Sequence, residues 1–103
     1  MLDTSPLTRA VDHFADRLRA APQSRLQRGA AAEALGLARE LARRAQLLES
    51  PGEEPRVMPD VGMFAGADQV TVAAHDLALV LRSEGELASV LALVAEAQQR
   101  AGV

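Results

Sequence analysis

Residues 69–81 read QVTVAAHDLALVL, and the fold class turns on whether they form a strand or a helix. Val70, Val72 and Ala74 alternate as a half-buried strand would. The second half breaks that alternation. Val70, Ala73, Ala74, Leu77 and Leu81 recur at helical spacing, and Asp68 stands where a helix cap belongs. Val72, Leu79 and Val80 carry the apolar surface further round the cylinder. The polar remainder is a narrow stripe of Asp68, Thr71, His75 and Arg82, with Asp76 beside it. A helix apolar on most sides packs against several neighbours. A helix over about 69–82 is therefore expected at the centre of a bundle or at a dimer seam.

The flanking segments show the same periodicity. Pro6 suits a first helical position, and Leu7, Val11, Phe14, Leu18 and Ala21 form one stripe, so a helix is predicted over about 6–21, ended by Pro22. A second is predicted over about 25–49, capped by Ser24, on the stripe Leu26, Ala30, Ala34, Leu37, Leu41, Ala45 and Leu48. Gly29 and Gly36 lie inside it, each costing roughly 1 kcal/mol relative to Ala. Ser83 and Glu86 have capping-box spacing, which starts a fourth helix over about 84–100 with Leu87, Val90, Leu91, Val94 and Ala97 facing inward. These readings give an all-α four-helix bundle in one domain, 1–103, built from two helical hairpins joined by a long apolar crossover loop over 50–67.

The crossover is unusual for a loop. Its stretch RVMPDVGMFAGADQ (56–69) has loop punctuation at Pro59, Gly62 and Gly66, yet it carries Val57, Met58, Val61, Met63 and Phe64. Connections normally run over the surface and are polar. The favoured reading has Met58, Met63 and Phe64 plugging gaps in an alanine-rich core, a task that suits flexible methionine. The alternative reading makes Met58, Val61, Met63, Phe64, Val72 and Leu79 an exposed interaction surface.

Composition bounds the function. With 103 residues, 49% of them apolar but only Phe14 and Phe64 aromatic, the core is thin and favours sharing with a second copy as a homodimer. The chain lacks Lys, Ile, Asn, Tyr, Cys and Trp, and the joint absence of the first four, whose codons begin with two A/T letters, points to a GC-rich bacterium. Its eleven basic residues are all Arg, which the codon bias explains without phosphate recognition. Net charge is −3, with eight Arg against six acids in 1–50 and three against eight in 51–103. The acidic total argues against general nucleic-acid binding, and the asymmetry suggests that Arg25, Arg28, Arg39 and Arg43 pair with acids of the other half. No leader-like stretch and no run of about 20 apolar residues is present, so a soluble cytoplasmic protein with no membrane contact is expected.

Candidate chemistry is sparse. His75, Asp76, Leu77 and Leu81 match, residue by residue, the phosphoacceptor box of histidine kinase dimerisation domains, which the segment resembles. Ala78 and Val80 stand where that family carries Arg and Pro. The resemblance implies a histidine phosphotransfer-like module with His75 as phosphoacceptor. Ala32, Leu35, Gly36 and Leu37 resemble a helix-turn-helix segment over 29–48, which implies DNA contacts from Arg39, Arg43 and Arg44. Ala38 and Ala42 replace the usual cap and anchor, and one uninterrupted helix through Gly36 is the simpler reading. Asp12, His13 and Asp16 could meet His75 as an oxygen- and nitrogen-rich cluster, but solvated polar faces account for both histidines, so no metal site is expected. No nucleophile motif or phosphate loop is present. The sequence reads as a non-enzymatic interaction protein without cofactor.

Overall fold

The computed structural model describes residues 2–103, and all regular structure in it is helical. Helix α1 spans Ser5–Ala20, α2 spans Ala31–Glu49, α3 spans Gly66–Val80 and α4 spans Glu84–Ala101. A turn of helix at Gln23–Arg25 and a kinked segment at Leu26–Ala30 lead into α2.

Local chemistry sets each boundary. Helix α1 has Pro6 in its first turn, and Asp3 Oδ1 accepts from the Ser5 backbone N–H at 3.0 Å. Ala21, held extended before Pro22, ends it. Ser83 and Glu86 form the capping box of α4, with Glu86 N donating to Ser83 Oγ at 3.1 Å and Ser83 N to Glu86 Oε1 at 3.2 Å. Gly102, at φ +71°, closes that helix in the left-handed conformation.

Two boundaries differ from the sequence reading. The predicted helix 25–49 is interrupted at Gly29, whose φ of +151° lies where side chains other than glycine are strained. Ser24 does not cap it; Pro22 stands at that position. Gly36, by contrast, lies within continuous α2. Helix α3 begins at Gly66, so Asp68 lies in its first turn, where its charge favours the helix N-terminus without capping it.

Helix direction explains the long connection. Gly66 lies against Ala34 near the starts of α3 and α2, while Arg82 Nη2 donates to Leu48 O at 3.1 Å near their ends. The two helices therefore run parallel. A chain leaving the end of α2 must return the length of that helix, about 28 Å at 1.5 Å per residue, before α3 can start. Residues 50–65 make that return. Helix α1 runs antiparallel to α3, with Arg19 on Asp68 and Asp12 near His75. Helix α4 runs antiparallel to α2, with Arg100 on Glu33 and Arg44 on Ser89.

The packing is between the two halves of the chain. Both α1 and α2 pack on α3, and both pack on α4. The central position expected for the third helix follows from this, since α3 makes the most extensive contacts with α1 and α2. One core results, with Phe14, Leu7, Leu41, Leu77, Val11, Val70, Val90 and Val94 fully buried. Alanines fill the rest, including Ala34, Ala38, Ala73, Ala74 and Ala97. Among the described residues, no polar or charged side chain is buried.

Candidate functional site

Polar side chains, as well as apolar ones, hold the crossover to the bundle. Gln46 of α2 clamps Arg56: its Oε1 accepts from the Arg56 N–H at 2.8 Å, and its Nε2 donates to Arg56 O at 3.0 Å. Two turns earlier in α2, Arg39 Nε donates to Met58 O at 2.8 Å. From α3, Gln69 Nε2 donates to Pro59 O at 2.9 Å. Beyond this, Asp60 Oδ1 accepts from Gly62 N at 2.9 Å, and Gly62 at φ +109° turns the chain toward α3.

With its backbone fixed in this way, the crossover divides its apolar side chains. Met58 and Met63 are half-buried against the core, in keeping with a plug. Phe64 is not a plug, because it is 71% exposed. Val57 and Val61 also face solvent; the sequence marks Val57 as one of the loop's apolar residues but not as part of the suggested interaction surface.

Helix α3 continues the same surface. Val72 and Leu79 are exposed, seven residues apart and hence on one face, with His75 and Asp76 between them. Among the described residues the exposed large apolar side chains are Val57, Val61, Phe64, Val72 and Leu79, and every one lies in the crossover or α3. The two segments adjoin: Val57 and Asp76 line one depression, and the Gln69–Pro59 hydrogen bond ties the crossover beside Val72. Of the six residues the sequence suggested as an interaction surface, Val61, Phe64, Val72 and Leu79 are exposed and the two methionines are half-covered.

Charge punctuates this strip. Asp68 Oδ1 accepts from Arg19 Nη2 at 2.9 Å, a bond that holds the Arg19 guanidinium above its ordinary value. His75, with a side chain 57% exposed, has its Nε2 4.0 Å from Asp12 Oδ1. Asp16 turns to Arg19 instead. Among the described residues, no three His, Asp or Glu side chains converge as a metal site would require.

The arginines of α2 are engaged within the chain. Glu40 accepts from Arg43 Nε and Nη2 at 2.9 and 2.7 Å and from Arg44 Nε at 2.8 Å, and Arg44 also reaches Ser89 Oγ. Arg43 thus pairs inside its own helix rather than with the C-terminal half. Among the described residues, the arginine ion pairs that cross between halves are Arg19–Asp68 and Arg100–Glu33. Residues 29–48 do not form a helix-turn-helix. The turn that the resemblance requires near Gly36 is replaced by continuous helix, and the break at Gly29 follows only a short helical lead-in.

Among several open grooves, two flank α2. One, of about 470 Å³, lies between the crossover and the start of α2 and is lined by Leu26, Gly29, Leu35, Gly36, Arg39 and Met63 among others. The other, about 500 Å³ and mainly apolar, lies at the far end between Leu47, Leu48, Leu77, Leu81 and Val90. No helix among the described residues is long and apolar enough to cross a membrane. Comparison with protein-family models, with curated proteins and with solved structures finds no match for this chain.

Proposed function

We propose that this protein is a non-enzymatic helical interaction module that self-associates in the cytoplasm through the strip formed by α3 and the crossover. The observation that carries this reading is the confinement of the exposed large apolar side chains to those two adjoining segments. Apolar residues scattered singly over a surface need no explanation, whereas a contiguous group marks a contact site. The alanine-rich core gives a physical reason for association, since small side chains bury little area per residue. A second copy covering Val57, Val61, Phe64, Val72 and Leu79 adds apolar burial that one chain lacks.

Sedimentation velocity over micromolar concentrations tests the proposal. The expected result is a concentration-dependent dimer that Leu79→Glu and Val72→Glu convert to monomer, with helical circular dichroism unchanged. A wild-type monomer throughout that range overturns it.

A second reading rests on His75, whose exposed imidazole beside Asp12 is accessible to a phosphoryl donor. Phosphoramidate labelling followed by mass spectrometry tests it: an acid-labile phosphate absent from His75→Gln supports the reading, and an unlabelled wild type removes it.

A further inference from the structure

The crossover holds two of the chain's three methionines, Met58 and Met63, and each sits between core and solvent. Both are half-buried and packed against the buried cluster. On their other side, Met63 lines the groove at the start of α2, and Met58 lines a further open groove of about 450 Å³ with Ala42, Ala45, Val57 and Asp76. We propose that Met58 and Met63 are a paired sulfoxidation site through which a hydroperoxide releases the crossover from the bundle. The proposal stands whether or not the protein self-associates.

Composition directs this chemistry to the two thioethers. The chain has no Cys, Trp or Tyr, so no thiol, indole or phenol competes for a two-electron oxidant. The methionine sulfur attacks the outer oxygen of the hydroperoxide. An S–O bond forms as the O–O bond breaks, and sulfur gives up two electrons. The hydroxide or alkoxide that leaves takes up the proton of the attacked oxygen and departs as water or alcohol. The product is a sulfoxide, in which a flexible apolar side chain has become a polar one. A dithiol-dependent reductase reverses the step: two thiols become a disulfide, and the oxygen leaves as water.

Placement turns the oxidation into a conformational event. A sulfoxide oxygen is a strong acceptor, and burying it unpaired against apolar side chains is unfavourable. The donors that α2 and α3 extend into the two grooves are already used. Gln46 Nε2 is bonded to Arg56 O, Arg39 Nε to Met58 O and Gln69 Nε2 to Pro59 O. An oxidised side chain must therefore turn out to solvent or draw a donor away from the crossover backbone. Either movement removes a tie between crossover and bundle. The release is local, because the fully buried core residues all lie outside 50–65. Val57, Val61 and Phe64 move with the segment, so the exposed apolar strip is dispersed with it.

Hydrogen peroxide on the full chain tests the site. Native protein is expected to gain one oxygen at each of Met58 and Met63 at rates within about thirtyfold of a free methionine amide. Fragmentation of the tryptic peptide 57–82, released after denaturation, locates both. Tryptic cleavage of the native oxidised chain after Arg56 is expected to run severalfold faster than before oxidation, with helical circular dichroism unchanged. Reductases for both sulfoxide epimers are expected to restore the slow rate. The double variant Met58→Leu, Met63→Leu conserves apolar volume, and peroxide is expected to leave its cleavage unchanged.

Oxidation slower than that range overturns the proposal, because the sulfurs are then reached only by unfolding. Complete sulfoxidation with unchanged cleavage also overturns it. Loss of helix on oxidation makes the change a global lesion, and faster cleavage of the peroxide-treated double variant traces the effect to another site; each overturns the release.

Discussion

Gly66 of α3 meets Ala34 of α2 so closely that a Cβ on Gly66 would come within 2.9 Å of the Ala34 Cβ. The parallel pair is set by this approach. Atoms at that separation force the helices apart, and overpacking of this sort costs about 1–3 kcal/mol. Gly66→Val is expected to lower stability by that amount in urea unfolding. Ala34→Gly in the same chain should recover part of the loss despite its own helix penalty, and the double-mutant cycle should show non-additivity above about 0.5 kcal/mol.

The two glycines that interrupt the pattern of residues 25–49 should respond in opposite directions. Gly29 has space around it but sits at φ +151°, so Gly29→Ala is expected to cost about 1–3 kcal/mol through backbone strain alone. Gly36 also has space around it and lies in ordinary helix, so Gly36→Ala is expected to stabilise by about 0.5–1 kcal/mol. For a domain of this size each kcal/mol moves Tm by roughly 4–8 °C. Thermal melts of the two variants therefore give shifts of opposite sign.

Glu40 should make stability depend on pH in the acid range. The Arg43 hydrogen bonds, supported by that of Arg44, hold its carboxyl at about 2 against an ordinary 4.5. A depressed value in the folded chain means that the stabilisation is complete above 4.5 and is lost as pH falls through about 2. Its partners are partly exposed, so screening reduces the contribution to roughly 1 kcal/mol. Glu40→Gln should be less stable than wild type at pH 7, with the difference vanishing near pH 2, as read by urea unfolding at both values.

Gln46 should govern the crossover without governing the fold. It satisfies both backbone groups of Arg56, while its own helix stays packed through Leu41 and Ala45. Gln46→Ala is expected to speed tryptic cleavage after Arg56 severalfold and to lower Tm by only a few degrees, since a neutral hydrogen bond contributes about 0.5–1.5 kcal/mol. Unchanged cleavage kinetics would show that Arg39 and Gln69 suffice to hold the segment.

The sequence discloses what depends on local pattern. The helical stripes, the Ser83–Glu86 capping box and the stop at Pro22 are all readable because their causes lie within a few residues. The break at Gly29 is not. Gly29 and Gly36 look equivalent in a periodic helix, and only the folded backbone assigns one of them a positive φ. The anchors of the crossover are hidden for a related reason. Gln46, Arg39 and Gln69 bond backbone carbonyls, which every residue possesses, so no side-chain pattern reveals those contacts. Within the candidate site, the methionines and Phe64 were alike in hydrophobicity. Tertiary placement separates them: Met58 and Met63 turn toward the core, and Phe64 points outward.

Since α1 and α2 pack chiefly on α3 and α4, neither half of the chain owns a core. A peptide ending before the crossover and one beginning after it would each be left with an uncovered apolar face, and each is the other's natural cover. The chain is thus organised as a pair of complementary fragments that happen to be covalently joined, and severing the link near Gly52 should leave two pieces that fold only in each other's presence.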